Sequence, residues 1–170
     1  MELAKKSGYQ FMLSTEAFNE IASVLRELEA ATRAELTFFC DANGIPITHS
    51  GKVNDSDLAS ISTLTAANFA ATREIAKTLG EDEGFQFLFL EGKERNMYFG
   101  NIGFDYLLTI VFSKSVALGM LRIYANRAVK QLAKILQHAH EKEKASETII
   151  DDEFTALLNN AIDASFGKSH

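Results

Sequence analysis

Six side chains and one short loop are the places where this sequence could carry reaction chemistry: Cys40, His138, His140, Arg73, Arg122, Arg127 and Gly51-Lys52-Val53. A thiol beside an imidazole can act as a nucleophile. Cys40, however, ends the strand-like run ELTFFC among apolar neighbours, where a thiol behaves as an ordinary core group. His138 and His140 stand two apart in a helical pattern and therefore point to different sides, so they do not chelate. One cysteine and four scattered histidines make a poor metal set, and no metal or cofactor is expected. A phosphate-cradling loop needs glycines leading to Gly-Lys-Ser/Thr at a helix start, whereas Lys52 is followed by Val53. Nucleotide binding or hydrolysis by the chain itself is not expected. An arginine can also be inserted beside a phosphoryl group held by another protein. Arg73 sits near a helix end and Arg122 and Arg127 on a later helix, positions that read as solvated side chains. No catalytic residue emerges.

What positions these groups is one core. The chain has 170 residues, 46% of them hydrophobic, with a mean hydropathy of -0.04, enough for one domain with short ends. A net charge of -6 and a pI near 5.2, with no basic stripe, argue against nucleic-acid binding, which relies on clustered Lys and Arg. A single cysteine allows no intrachain disulfide, and the opening MELAKKSGYQFMLSTEAF lacks an export-signal core, so the chain reads as cytoplasmic. The longest strongly apolar run, Tyr106 to Phe112, is a buried strand, far below the ~20 residues of a membrane-spanning helix, and no membrane insertion is expected.

Ser14 is a plausible N-cap for a helix over about 14–31, in which Phe18, Ile21, Ala22, Leu25 and Leu28 recur at helical spacing. Strands follow at about 35–40 and 45–50, joined through Asn43-Gly44, a tight-hairpin signal. Pro46 cannot donate to a ladder and belongs at an edge or a bulge. A helix starts near Asp57, capped by Asp55 or a neighbour, and stops at Gly80. Strands at 85–91, 95–102 and 105–112, with short connections, form an antiparallel meander. A third helix covers about 116–140. The charged EKEKASE stretch within 141–150 is a connector, either a helical extension or a hinge, and an amphipathic helix and tail occupy 151–170. The expected fold is α+β, an α/β/α sandwich with a five-stranded, mainly antiparallel sheet in the order α-β-β-α-β-β-β-α, plus a C-terminal helix.

The first and third helices most economically share one face of that sheet, leaving the middle helix alone on the other. From Leu58 to Thr72 it carries no charge. The stripe Leu58, Ile61, Thr65, Asn68, Thr72, Ile75 and Leu79 is expected on the sheet, while Ala59, Thr63, Ala66, Ala67, Ala70 and Ala71 put small residues where a solvated helix carries long polar ones. Ala and Thr could be simple surface filler. Small side chains over such a length, with charge returning at Arg73, Glu74 and Lys77, point instead to a covered surface, most simply an isologous dimer.

Ile61 to Gly80, the pair TFFCDANGIPITHSG, the run YLLTIVFSKSVALGMLR and the tail DDEFTALLNNAI together resemble the Roadblock / dynein light chain domain family in its bacterial MglB type. The resemblance covers most of the chain, with no sharp catalytic signature. It implies a homodimer whose middle helices pair and whose sheets join across the two-fold axis. It also implies a partner, a Ras-like small GTPase of the MglA type, bound by two protomers, whose GTP hydrolysis is raised in bacterial polarity or gliding motility, with enrichment at a cell pole. Transferred to matching positions, Thr63, Ala66, Ala70, Arg73 and Lys77 are the GTPase-facing candidates and Ala67, Ala71 and Ile75 the protomer contacts. The GTPase would carry its own catalytic groups, with the dimer selecting their aligned conformation. Phe154, Leu158, Ile162 and Phe166 are candidate anchors for a second contact through the C-terminal helix, which could equally dock on its own domain. A Roadblock-type scaffold without activating function, and a small-ligand sensor of profilin-like or PAS-like build, are the alternatives; a sensor requires a roomy apolar pocket.

Overall fold

The first helix begins where the sequence offers a capping hydroxyl. Ser14 Oγ accepts from the Ala17 N–H at 3.2 Å, and α1 runs Thr15–Thr32 to a left-handed Arg33, whose N–H donates to the Glu29 carbonyl. The computed structural model describes residues 13–166, so expectations on residues 1–12 and 167–170 lie outside the described residues. After α1 come β1 (Leu36–Asp41), β2 (Pro46–Gly51), α2 (Asp55–Leu79), β3 (Phe87–Glu91), β4 (Arg95–Gly103), β5 (Tyr106–Ser113) and α3 (Leu118–Phe166). The sheet order is β2-β1-β5-β4-β3, and every neighbouring pair is antiparallel. This is the expected α+β architecture, with β3-β4-β5 as the meander.

Alternation along each strand sorts the apolar residues to two faces. Phe39, Leu108, Ile110 and Phe112 meet Ile21 and Leu25 of α1 and Leu121, Ala125, Leu132 and Leu136 of α3. Leu36, Phe38, Cys40 and Leu107 turn the other way and meet Leu58, Ala66 and Phe69 of α2. The middle helix is therefore alone on its face. Pro46 lies on edge strand β2 opposite Cys40, at a bulge between Phe39 and Cys40, where its missing N–H breaks no central ladder. No helix among the described residues is long and apolar enough to cross a membrane.

One local expectation changes and two are narrowed. The Asn43-Gly44 connection is a four-residue loop, Ala42–Ile45, because the Asp41 carboxylate accepts from the N–H groups of Asn43 (3.0 Å) and Ile45 (2.7 Å) and so draws both around itself. The sheet-facing seam of α2 is Leu58, Ser62, Thr65, Ala66, Phe69 and Ala76, whereas Asn68, Ile75 and Leu79 face outward. Small residues give α2 little hydrophobic contrast, and choosing Ile61 over Ser62 puts the seam one residue out of phase. Of the two readings of the charged stretch at 141–150, helical extension and hinge, the first holds: α3 passes through it as one helix of 49 residues. No Gly or Pro stands between Met120 and Phe166, and Lys142 Nζ reaches Glu16 Oε2 at 2.9 Å, tying the stretch to the start of α1.

The loop also sits tight on α2. Gly44 has φ +85°, and a Cβ there would lie 2.5 Å from the Cα of Thr63, whereas a Cβ at the helix-ending Gly80 meets nothing within 4 Å. Gly44→Ala is expected to lower stability by at least about 2–3 kcal/mol, and Gly80→Ala by only about 1 kcal/mol, in urea unfolding. Equal losses at the two sites would show that the close approach costs nothing.

Candidate interaction surface

At about 100° per residue, the circumference of α2 divides into three sectors. One is the buried seam. Roughly opposite it runs an outer stripe of Leu64, Ala67, Asn68, Ala71, Ile75 and Leu79, all exposed, with Leu64 at 69%, Ile75 at 51% and Leu79 at 67%. A flank carries Ala59, Thr63, Ala70, Arg73 and Lys77, also exposed. Salt-bridged Glu74 and Lys77 (2.6 Å) mark the end of the uncharged zone; the Lys77 ammonium holds the Glu74 carboxyl below its usual range, first by hydrogen bond and then by charge.

Beside the outer stripe the sheet is open. Leu36, Val111, Met97 and Leu90 are register neighbours across β1, β5, β4 and β3 and form an apolar row on the α2 side. Leu36 is buried, Val111 and Met97 are half-buried, and Leu90 is 43% exposed. A groove of about 960 Å³, open to solvent, is lined by Leu36, Val111 and Met97 of this row together with Ile61 and Val53, with Lys52 and the Arg95–Glu35 ion pair on its rim. The uncovered strands β4 and β3 are about 10 Å wide at ordinary strand spacing, the diameter of one helix. β3 is also a sheet edge with exposed Phe89 and Leu90 and a single charge, Glu91, a surface that isolated proteins normally protect.

On the flank side, Ala70, Arg73 and Lys77 border a smaller recess of about 280 Å³ shared with Asn101, Phe104 and Asp105 of the β4–β5 hairpin. The Roadblock/LC7 domain family model matches residues 20–112, from α1 through β5, and thus the whole sheet together with α2. The chain belongs to the Roadblock/LC7 domain family. Among solved structures it is similar to Myxococcus xanthus MglB, at 31% identity and TM-score 0.70 over 75% of this chain and 96% of that one. It is similar to the gliding protein MglB of Thermus thermophilus, at 28% identity and TM-score 0.70 over 76% of this chain and 97% of that one. An MglB structure with a tetrameric arrangement matches at 28% identity and TM-score 0.71, with the same coverage. An uncharacterized protein of Aquifex aeolicus (strain VF5) is 24% identical over 143 residues, 84% of this chain and 88% of its own.

In this Roadblock/LC7 chain the two groups of α2 candidates fall on different sectors. Ala67, Ala71 and Ile75 share the outer stripe, and Thr63, Ala70, Arg73 and Lys77 share the flank. Ala66 is 5% exposed and packs beside Phe69 against the sheet, so it belongs to the floor of the flank recess that Ala70, Arg73 and Lys77 border rather than to the exposed flank itself. Leu79, expected on the sheet, is exposed because the seam phase is one residue out, and Leu64 belongs to neither expected group; its signal is a leucine on the side otherwise reserved for Ala and Thr. Phe154, Leu158 and Ile162 stand exposed on the last part of α3, and the side chain of Phe166 lies outside the described residues. Of the three arginines only Arg73 shares a surface with α2; Arg127 lies over the Tyr124 ring, 5.6 Å from its centre, on α3. His138 borders the recess beneath Ser14 and Glu16 while His140 lies against Phe104, so the two imidazoles part as their spacing requires.

Cys40 is fully buried on β1, and burial, with a smaller contribution from the Asp41 charge, pushes its thiol up to about 12. A thiol whose folded pKa exceeds its unfolded value of 9.0 keeps its proton in the native state while the unfolded chain loses it. Stability is therefore expected to fall between about pH 9 and pH 12, and Cys40→Ala to flatten this part of the profile in urea unfolding at stepped pH. The same slope in both proteins would remove the thiol from the alkaline limb.

Proposed function

We propose that this chain is a homodimeric regulator of a Ras-like small GTPase of the MglA type, working in bacterial cell polarity or gliding motility and raising the GTPase's hydrolysis rate without a catalytic residue of its own. The observation that carries the reading is the unfilled, helix-wide strip of sheet beside the outer stripe of α2. A second copy of α2 fits that strip, burying Leu64, Ala71, Ile75 and Leu79, with Ala67 and Ala71 letting the two backbones approach. The exposed β3 edges can pair in the same two-fold arrangement and extend the sheet. The likeness to MglB structures from two bacteria, one of them described as a gliding protein, supports the choice of GTPase.

Dimerisation by the outer stripe leaves the flank with Thr63, Ala70, Arg73 and Lys77 for the GTPase, two protomers to one partner. This is a small-residue surface with a single arginine at its end. A surface of that kind supports selection of a hydrolysis-competent GTPase conformation better than charge neutralisation at the transferring phosphoryl group. The two mechanisms differ in magnitude. An inserted arginine is worth on the order of 10³ to 10⁵ in rate, whereas removing a rim charge from a docking surface mainly weakens binding.

Single-turnover GTP hydrolysis by an MglA-type GTPase, with and without the protein, tests the proposal. Stimulation is expected, with Ile75→Glu abolishing it together with the dimer and Ala70→Arg abolishing it while the dimer persists. Arg73→Ala is expected to lower the saturated rate by less than roughly tenfold; a thousandfold loss with binding intact would make Arg73 an inserted finger. Binding without any stimulation would leave a scaffold.

A further inference from the structure

The two residues at the tip of the β4–β5 hairpin are ill suited to their backbone. Gly103 pairs with Tyr106, which leaves a two-residue turn, and Phe104 and Asp105 both have positive φ, +53° and +61°. Asn-Gly fits such a turn best, because a side chain in the left-handed region crowds its own backbone and a bulky one crowds it most. The chain has an Asn-Gly pair, Asn43-Gly44, but places it in the other hairpin, where only Gly44 has positive φ. Phe104 does not use its position to fill the core. It is 43% exposed, with its ring tilted against His140 of α3 at 5.8 Å between centroids. Strain held at a half-exposed aromatic ring points to a use outside the domain.

We propose that the hairpin tip is a second wall of the surface that receives the GTPase, with Phe104 as its anchor, an inference that rests on the GTPase reading of the α2 flank. The recess of about 280 Å³ lies between the two walls: Ala70, Arg73 and Lys77 stand on one side of it, Phe104 and Asp105 on the other. A body seated on the flank therefore meets the hairpin as well. The tip is also fixed in place relative to the flank. The Asp105 carbonyl accepts from the Ala42 N–H at 2.7 Å, and Gly44 of the same Ala42–Ile45 loop sits against the backbone of Thr63. One loop thus braces both walls, and an anchor held in position before association loses little freedom on binding. The walls differ in charge, with the cations Arg73 and Lys77 on α2 and the Asp105 carboxylate on the hairpin. Opposed charges of this kind fix the orientation of a partner more than its affinity, while an aromatic ring at the edge of the recess supplies affinity. In the proposed dimer the second protomer lies on the outer stripe, a different sector of α2, and leaves the recess to the GTPase.

Phe104→Asn gives the first turn position the residue its geometry favours and leaves Asp105 in place. In urea unfolding the variant is expected to be at least as stable as the unaltered protein, because the crowding of the ring is relieved. Its affinity for an MglA-type GTPase loaded with a non-hydrolysable GTP analogue is expected to fall about tenfold or more, with the mass in sedimentation unchanged. His140→Ala removes the support of the ring on α3 without touching the turn, and is expected to change that affinity by less than about threefold. Lower stability of Phe104→Asn with unchanged affinity would show that the ring serves packing alone and would overturn the proposal. A loss of affinity that His140→Ala reproduces in full overturns it too, since the ring would then act through α3. Ala70→Arg separates this inference from the reading beneath it. If that variant abolishes binding while Phe104→Asn leaves it intact, the flank keeps its partner and the hairpin loses its role, whereas no binding by the unaltered protein removes both.

Discussion

One helix on one side of a five-stranded sheet is the constraint on which the rest depends. Two helices, α1 and α3, are enough to cover the other face, with the fully buried Phe39, Ile110 and Phe112 between them. On the α2 face the same area is served by a single helix whose buried side is made mostly of small or polar residues, Ser62, Thr65, Ala66 and Ala76, with two large anchors, Leu58 and Phe69. Such a helix cannot span the sheet. The half-buried Met97 and the exposed Leu90 follow directly, as does the open groove beside them. The apolar surface left at β3 and β4 is thus a consequence of layer arithmetic, which makes the association proposed at α2 part of the architecture rather than an addition to it.

The fold was legible because its signals are local and mutually consistent. Ser14 and Gly80 cap where their chemistry predicts, Asn54 caps α2 one residue before the expected Asp55, Pro46 finds the edge strand, and the unbroken apolar run in YLLTIVFS marks a buried strand without tertiary information. The surface was less legible for a definite reason. Phase along α2 depends on contrast between apolar and polar side chains, and from Leu58 to Ala71 the contrast is mostly between Ala, Ser and Thr. Ser62 is buried and Leu64 exposed, the reverse of what their side chains prefer in isolation. Periodicity alone therefore placed Ala66 outward and Ile75 inward. Only the sheet, by accepting Phe69, fixes the rotation.

The course of α3 through 141–150 stayed open between extension and hinge for a different reason. A dense run of Glu and Lys suggests a break when charge is the only cue, yet these are good helix formers. Lys142 meets Glu16, Gln137 Nε2 donates to Glu141 at 3.0 Å, and the next glycine is Gly167. Exposed ion pairs contribute little by themselves. Here propensity carries the backbone through and the ion pair sets the point at which the helix leaves α1.

That exit point has a mechanical meaning. An uninterrupted helix bends only by giving up backbone hydrogen bonds, so the stretch from Lys142 to Phe166 acts as a lever about 36 Å long pivoting where Lys142 meets Glu16. A tilt of about 10° at this fulcrum would carry Phe154 and its neighbours several ångströms sideways. Any rearrangement between α1 and α3 inside the domain is magnified at the tip, and a load on the tip is returned to the core with the same leverage.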